Sequence, residues 1–214
     1  MTSGLQNNFD RIADVYDWLA NIYSCGQIRA CKAAQIRNIA PGARVLYAGV
    51  GGGEDAVMAA QKGAHVTVID LSPRMIAKAT KRITAAGLGG QVECICGDIL
   101  EHDRRGYYDV VCANFFLNVF AEPVMREMMQ YLATLLCPAG TLMIADVAPV
   151  EGPAWQRMAR RIYFGVAVRA FRVLAGNAIH PIYDYRVHLN RANLSLTQTT
   201  FCGPFYWTLT AVAA

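Results

Sequence analysis

The sequence has little charge and no long uninterrupted apolar run. Of its 214 residues, 17% are charged and 54% are hydrophobic, and the formal net charge is only +4. No apolar run reaches the ~18 residues that a membrane-spanning helix needs, and the first residues lack the basic and then apolar pattern of a signal peptide. So weak a positive charge does not indicate a nucleic-acid-binding surface. These features predict a cytoplasmic globular protein, long enough for one domain with a sizeable core.

The seven cysteines do not follow the spacing of a zinc site. They are scattered through apolar segments, and the tightest pair is Cys94 and Cys96. Alternation along a strand would place these two side chains on one face. Zinc sites need tighter clusters of cysteine and histidine than this sequence offers. We therefore expect reduced, buried thiols and no metal site.

Most of the chain alternates between strand and helix patterns. Apolar strand-like runs and helical stretches follow one another, with strands at 43–49, 65–70, 91–98, 107–114 and 140–147 and helices near 54–62, 73–86 and 122–136. Such alternation is typical of a parallel sheet with helices on both faces. The end of the chain differs, because residues 195–203 and 205–213 alternate like strands around a Gly203-Pro204 turn. This pattern predicts a terminal antiparallel hairpin.

A cluster of glycines follows the first of these strands, in VLYAGVGGGE (45–54). In open parallel sheets, ligands bind beyond the carboxyl ends of the strands. Glycines at 49, 51 and 53 allow backbone N–H groups to approach such a ligand closely. Glu54 occupies the place of the third glycine in the dinucleotide fingerprint, and its charge would repel a pyrophosphate. The loop therefore predicts a nucleoside ligand without phosphates.

Carboxylates end the next two predicted strands. Asp70 is well placed to accept hydrogen bonds from both ribose hydroxyls of a nucleoside. Asp98 can accept from an exocyclic adenine amine, with Ile99 against one face of the ring. Met75 is placed to pack on the other face, although the same position also suits a residue of the core.

Gly49-x-Gly51-x-Gly53, Asp70 and Asp98 together resemble motif I, the acidic loop and motif III of the class I S-adenosylmethionine-dependent methyltransferases. The resemblance covers residues 43–147. It implies a Rossmann-like α/β fold whose seven-stranded sheet is mostly parallel, with an antiparallel C-terminal strand and helices on both faces. It also implies S-adenosylmethionine as cofactor, with Leu71 and Asn114 among the residues that bind it.

Tyr47 departs from the pattern of that family. The family has an acidic residue at the end of the first strand, near the amino group of the cofactor. Tyr47 removes this charge, and either Glu54 or Asp55 is a candidate to replace it. A non-catalytic protein that binds S-adenosylmethionine is therefore kept as an alternative.

The N-terminal segment FDRIADVYDWLANIYSCGQIRACK (9–32) is similar to the opening of the ubiquinone/menaquinone C-methyltransferases. Its apolar residues recur at the spacing of one helix face. The resemblance implies a lid over the cofactor, with Tyr16 facing the methionine end as a cofactor-binding and candidate catalytic residue. The expected layout within a single domain (1–214) is a lid (1–40), a cofactor-binding core (41–150), a helical cap (151–182) and a final helix with the hairpin (183–214).

The acceptor site is expected beside the cofactor. Methyl transfer from a sulfonium needs alignment and exclusion of water, and a base only if the acceptor loses a proton. His180 is the candidate base or acceptor-orienting group, and Phe115, Asn118, Tyr183 and Tyr185 are candidate acceptor-pocket residues. The sequence NFFL after the fourth strand lacks the prolines of the D/N-P-P-Y/F motif, which argues against methylation of nucleic-acid amines.

These features predict methyl transfer to a small apolar or aromatic acceptor, such as a quinol or a secondary metabolite. Segment 153–175 combines arginines with aromatic residues on a helical pattern. Such a helix suits contact with the inner face of an anionic membrane, so methylation of a phospholipid headgroup is the main alternative. The sequence leaves the oligomeric state open.

Overall fold

This computed structural model describes residues 24, 26–149, 153, 155, 158 and 182–213, which form an α/β fold. The helices are α1 (Gln27–Arg37), α2 (Glu54–Gln61), α3 (Pro73–Ala85), α4 (Glu122–Thr134) and α5 (Arg186–Leu189), with 3-10 turns at Ile99–Glu101, Leu117–Val119 and Asn190–Ala192. The strands are β1 (Arg44–Ala48), β2 (His65–Asp70), β3 (Val92–Cys96), β4 (Tyr108–Asn114), β5 (Leu136–Val147), β6 (Leu194–Phe201) and β7 (Tyr206–Ala213).

The seven strands form one sheet in the order β3-β2-β1-β4-β5-β7-β6. Pairs among β1–β5 are parallel, whereas β7 runs antiparallel to both of its neighbours, β5 and β6. The predicted fold class is therefore confirmed, including the antiparallel C-terminal strand. The strand order reverses between β1 and β4, so the carboxyl ends of these two strands form the crevice in which this architecture binds ligands.

Two segments differ from the sequence-based prediction. Helix α4 ends at Thr134 and β5 starts at Leu136, four residues before the predicted strand. The register of β5 against β4 shifts between Tyr108 and Val110, and Ala139 has a φ of 60°. The Cys-Pro-Ala-Gly segment (137–140) is therefore an irregular part of the strand. The final helix is also shorter than expected, because Asn193 adopts a left-handed conformation that ends it just before β6.

The core lies on both faces of the sheet. Alternate residues of β1 supply the two sides: Leu46 and Ala48 pack with α4, while Val45 and Tyr47 pack with α2 and α3. Each of these side chains is at most 2% exposed. Burial of an aliphatic side chain of this size stabilises the fold by about 1.5–3 kcal/mol. The apolar strand that precedes the glycine loop is thus fixed from both sides.

The thiols are less uniformly buried than predicted. Among the described cysteines, Cys31 and Cys112 are buried, but Cys96 is exposed. The reason is topological, since β3 is the edge strand of the sheet. In the described ranges, no group of histidine, cysteine or acidic residues is arranged to hold a metal ion. None of the helices in those ranges is long and apolar enough to cross a membrane.

Candidate functional site

The three glycines of the loop have different surroundings. Gly51 has a φ of +52°, and a Cβ atom there would meet no atom within 4 Å. Gly53 also has a positive φ, but a Cβ atom there would lie 2.9 Å from the Cβ of Ala79 on α3. At Gly49 the neighbour is the ring of Phe116, 2.8 Å from the position of a Cβ. Gly49 and Gly53 therefore allow close packing, whereas Gly51 leaves its backbone open to a ligand.

Asp70 joins the glycine loop to the start of α3. One carboxylate oxygen accepts a hydrogen bond from the Val50 N–H at 3.0 Å, and the other accepts from the Ser72 N–H at 2.8 Å. Ser72 in turn caps α3, because its Oγ accepts from the Met75 N–H at 3.2 Å. The side chain of Leu71 is 51% exposed beside this carboxylate. Asp70 is thus held at the tip of β2, on the edge of the sheet where the glycine loop lies.

Asp98 occupies the equivalent place after β3. Its Oδ1 accepts from the Leu100 N–H at 3.0 Å and caps the 3-10 turn. In the part of the chain that the structure describes, no partner is recorded for its Oδ2. Ile99 and Met75 are 5% and 3% exposed and belong to the two core clusters. Packing within the core therefore accounts for both of these side chains without a ligand.

Tyr47 contacts the first turn of α2, which carries the acidic residues Glu54 and Asp55. Its side chain is 2% exposed, and its hydroxyl donates to the backbone carbonyl of Asp55 at 3.3 Å. Burial raises the pKa of Tyr47 well above its ordinary value, so the hydroxyl stays neutral. Glu54, the other acidic residue here, points outward and pairs with Arg29 at 3.1 Å. Asp55 is therefore the acidic side chain that lies next to the position of Tyr47.

The Asp55 carboxylate is buried at the crevice between β1 and β4. It is 4% exposed, and its Oδ2 accepts from Asn114 Nδ2 at 3.1 Å and lies 3.4 Å from the Nζ of Lys32 on α1. The other oxygen, Oδ1, accepts no recorded hydrogen bond within the described ranges. Asn114, expected to contact the cofactor, uses its side chain to join Asp55 to the Ala145 N–H of β5, which lies 3.2 Å from its Oδ1. Sequence reasoning named Asp55 only as one alternative and missed Lys32.

Aromatic side chains form a rim after β4. Phe115 has a φ of 53°, a conformation that costs a bulky residue about 1–2 kcal/mol. Its ring contacts Tyr206 edge-on, at 5.9 Å between centroids. Phe116 contacts Phe120 in the same manner, at 5.2 Å. Strain at a half-buried aromatic residue beside a ligand crevice is typical of functional positions.

A buried carboxylate lies beneath this rim. Asp146, 2% exposed, accepts hydrogen bonds from Asn118 Nδ2 at 2.8 Å, from the Val147 N–H at 2.7 Å and from the Tyr185 hydroxyl at 2.5 Å. Burial raises the pKa of Asp146 to about 6, against the opposing effect of these donors. Because an ionised carboxylate only accepts hydrogen bonds, it holds the amide nitrogen of Asn118 and turns the amide oxygen away. Nothing in the sequence pattern identified Asp146.

The two tyrosines predicted for the acceptor pocket lie in the core. Tyr185 is 1% exposed, and Tyr183 is 6% exposed and donates to the backbone carbonyl of Phe120 at 3.0 Å. Both therefore support the rim from below instead of lining an open surface. Tyr16 and His180 lie outside the described residues, as does most of the segment 153–175. His102 is half-buried, and its ring forms a hydrogen bond with the Tyr108 hydroxyl at 2.7 Å.

A cavity of ≈ 270 Å³ lies elsewhere on the molecule. Its lining includes Arg44, His65 and Tyr107, which stand at or just before the first residues of β1, β2 and β4. It therefore opens at the amino ends of the parallel strands, on the opposite edge from the glycine loop. The cavity is not part of the candidate site.

The chain is similar to several methyltransferases in sequence and in structure. Residues 45–140 match a family described as a methyltransferase domain. The ubiquinone/menaquinone biosynthesis C-methyltransferase UbiE of Roseobacter denitrificans is 27% identical over 188 residues, which are 86% of this chain and 74% of that protein. A tRNA 5-carboxymethoxyuridine methyltransferase of Escherichia coli is 32% identical over 146 residues, which are 63% of this chain and 54% of that protein. The structure of magnesium protoporphyrin IX methyltransferase (ChlM) from Synechocystis PCC 6803 with bound SAH has a TM-score of 0.65 and 22% identity, covering 90% of this chain and 84% of that one.

The sheet order, the single antiparallel strand and the glycine loop at the switch point define a Rossmann-like methyltransferase fold. Residues 45–140 match a methyltransferase domain, and the relatives together with the fold support S-adenosylmethionine-dependent methyl transfer, with S-adenosylmethionine as the cofactor. The relatives are named for different acceptors, so the likeness alone does not assign one.

Proposed function

We propose that this methyltransferase acts on a small aromatic acceptor of the quinol type. The observation that carries this proposal is the rim after β4, where Phe115, Phe116 and Phe120 stand beside one oriented amide, Asn118. Aromatic side chains give a flat acceptor a large apolar contact area. The similarity to a ubiquinone/menaquinone C-methyltransferase over 86% of this chain supports the same class of acceptor.

We expect the cofactor at the carboxyl ends of β1, β2 and β3. In this proposal the Asp70 carboxylate accepts from the ribose hydroxyls, the open backbone at Gly51 approaches the nucleoside, and Asp98 Oδ2 accepts from the adenine amine. Leu71, exposed beside Asp70, covers one side of the adenine. Hydrogen bonds to charged groups of this kind contribute about 1.5–3 kcal/mol each.

Asp55 takes the place of the acidic residue that Tyr47 replaces. Its Oδ1 has no recorded partner among the described residues, and it lies at the switch point where the methionyl end of the cofactor is expected. The ammonium group of that end would be paired with Asp55, and Lys32 Nζ, 3.4 Å from Oδ2, adds a positive charge near the methionyl carboxylate. A zwitterionic ligand is thus matched by a pair of opposite charges.

Asn118 orients the acceptor. Because Asp146 holds its amide nitrogen at 2.8 Å, its side-chain oxygen is left to accept a hydrogen bond from an acceptor hydroxyl. A quinol has such a hydroxyl next to the ring carbon that attacks the methyl group. The Tyr185–Asp146–Asn118 chain of hydrogen bonds therefore fixes the direction from which the ring approaches.

A second candidate acceptor is a tRNA nucleoside. The E. coli tRNA methyltransferase is 32% identical over 63% of this chain. The missing D/N-P-P-Y/F motif argues only against methylation of nucleobase amines, and a carboxymethoxyuridine offers a different group. Phospholipid headgroups remain an alternative because of the predicted basic helix at 153–175.

The test is methyl transfer to three acceptor preparations. Purified protein is incubated with S-adenosylmethionine and either a short-chain naphthohydroquinone, phosphatidylethanolamine vesicles or tRNA that carries 5-carboxymethoxyuridine, and the products are analysed by mass spectrometry. We expect a methylated hydroquinone and a several-fold lower rate for Asn118→Ala, with unchanged cofactor affinity. Methylation of tRNA or lipid alone would overturn the proposed acceptor.

A further inference from the structure

Two thiols from distant parts of the chain meet behind the cofactor site. Cys31 lies on α1 and is fully buried, while Cys202 is half-buried in the turn between β6 and β7. Both belong to one small apolar cluster that also contains Ala145 and Tyr206. Both are free thiols in this structure. Two residues that are far apart in the sequence therefore share one apolar cluster.

The two thiols share one apolar cluster and influence each other's ionisation. Cys202 Sγ donates to the backbone carbonyl of Thr200 at 3.8 Å, which leaves its sulfur lone pairs to accept from the thiol of Cys31. A hydrogen bond in this direction is the largest cause that lowers the pKa of Cys202 and raises that of Cys31. The two thiols therefore have unequal roles: Cys202 is the more readily ionised and the more accessible, and Cys31 is protected.

The backbone around the pair is fixed by independent contacts. Gln27, one turn before Cys31 on the same face of α1, accepts a hydrogen bond from the Phe205 N–H at 3.3 Å through its Oε1. Gly203 packs so closely on the Gln27 side chain that a Cβ atom there would overlap it. Helix α1 and the β6–β7 turn thus hold the thiols together without a covalent link.

We propose that Cys31 and Cys202 form a reversible disulfide when the protein meets a hydroperoxide. The Cys202 thiolate attacks the peroxide, which breaks the O–O bond, and forms a sulfenic acid with release of water or alcohol. Cys31 then attacks this sulfur, forms the S–S bond and releases the oxygen as water. The two thiols together lose two electrons, and the peroxide accepts them. The S–S bond formed in this way is about 2.05 Å long.

The link would pin α1 to the sheet beside the site. Lys32, the next residue on α1, lies 3.4 Å from the Asp55 carboxylate. Oxidation therefore fixes the helix that carries this charge, and a reductant such as a dithiol releases it. This inference does not depend on the identity of the acceptor.

The test uses the full-length protein and hydrogen peroxide. After treatment and alkylation, we expect the number of free thiols to fall from seven to five, since one disulfide consumes two of the seven cysteines. Peptide mapping should find Cys31 linked to Cys202, and a dithiol should reverse the link. The oxidised protein should unfold about 5–10 °C higher, because the bond closes a long loop.

Matched variants separate this site from the other thiols. Cys31→Ser and Cys202→Ser should each abolish the link and the thermal shift, whereas Cys94→Ser/Cys96→Ser on the edge strand β3 should keep both. A link from Cys31 to Cys25 would overturn the proposal. So would Cys202 recovered as a sulfinic acid while Cys31 stays reduced.

Discussion

At the scale of single residues, Asp146 shows how a buried carboxylate is retained beneath the aromatic rim after β4. Three donors converge on it, yet burial still raises its pKa to about 6. The ordinary pKa of an aspartate is 3.8, so the folded protein binds a proton more readily than the unfolded chain. The stability that this carboxyl contributes is complete below pH ~4 and is lost as the pH rises through about 6.

This linkage predicts a pH-dependent effect of Asp146→Asn. Between pH 5 and pH 7.5, the unfolding free energy of the wild-type protein should fall by about 1.4 kcal/mol relative to that of the variant. The reason is that the amide that replaces the carboxyl group cannot titrate. Urea denaturation at the two pH values measures it. The exposed Asp103→Asn is the control and should show no such difference. An equal stability gap between wild type and Asp146→Asn at both pH values would contradict the assigned pKa.

Residue identity alone predicted some of these positions and missed others. Asp70 and Asp98 stand out in the sequence because a carboxylate directly follows an apolar strand. Asp146 and Lys32 do not stand out, since their roles come from neighbours that are distant in sequence. Asn114 was found by its place after β4, but its partners, Asp55 and the Ala145 N–H, are visible only in the fold.

At the scale of elements, two glycines in the connection from β1 to α2 have different surroundings, and we propose that one serves packing and the other ligand binding. Gly53 lets α2 start against α3, while Gly51 faces open space. Both have positive φ, so an alanine at either position costs about 1 kcal/mol from backbone conformation alone. An added methyl group would overlap Ala79 at Gly53 but would meet no protein atom at Gly51.

That difference predicts separable effects of two alanine substitutions. Gly53→Ala should destabilise the fold by about 2–4 kcal/mol, since overlap with Ala79 adds to the backbone cost. Gly51→Ala should cost only about 1 kcal/mol but should weaken binding of S-adenosylhomocysteine (SAH) several-fold. Denaturation curves and calorimetric titrations of both variants check this. Stronger loss of stability in Gly51→Ala would refute the assignment of roles.

Element types could be predicted from periodicity, whereas two boundaries could not. Apolar runs separated by helical stretches extend over many residues, and they predicted the strands of the parallel sheet. Alternating residues near the end of the chain predicted the hairpin. The predicted start of β5 was wrong because Cys-Pro-Ala-Gly has the composition of a turn. In the fold, pairing with β4 extends the strand through these residues. The predicted length of the final helix was wrong because Asn193, in the left-handed conformation, ends it.

At the scale of the whole molecule, the switch point between β1 and β4 organises the site. Parallel strands bring Asp70, Asp98 and the glycine loop to one edge of the sheet, and α1 adds Lys32 from outside it. The antiparallel β7 joins this edge to α1 through Tyr206 and the neighbouring turn. We propose that this edge binds the zwitterionic cofactor, with Asp55 in place of the acid that Tyr47 replaces.

Calorimetric titration with SAH measures whether Asp55 pairs with the cofactor. The wild-type protein should bind with micromolar affinity, and Asp70→Asn and Asp55→Asn should each weaken binding about ten-fold or more, the effect of one lost hydrogen bond to a charged group. Glu54→Gln, which changes an exposed carboxylate paired with Arg29, should leave the affinity unchanged. Loss of affinity in Glu54→Gln but not in Asp55→Asn would contradict the account.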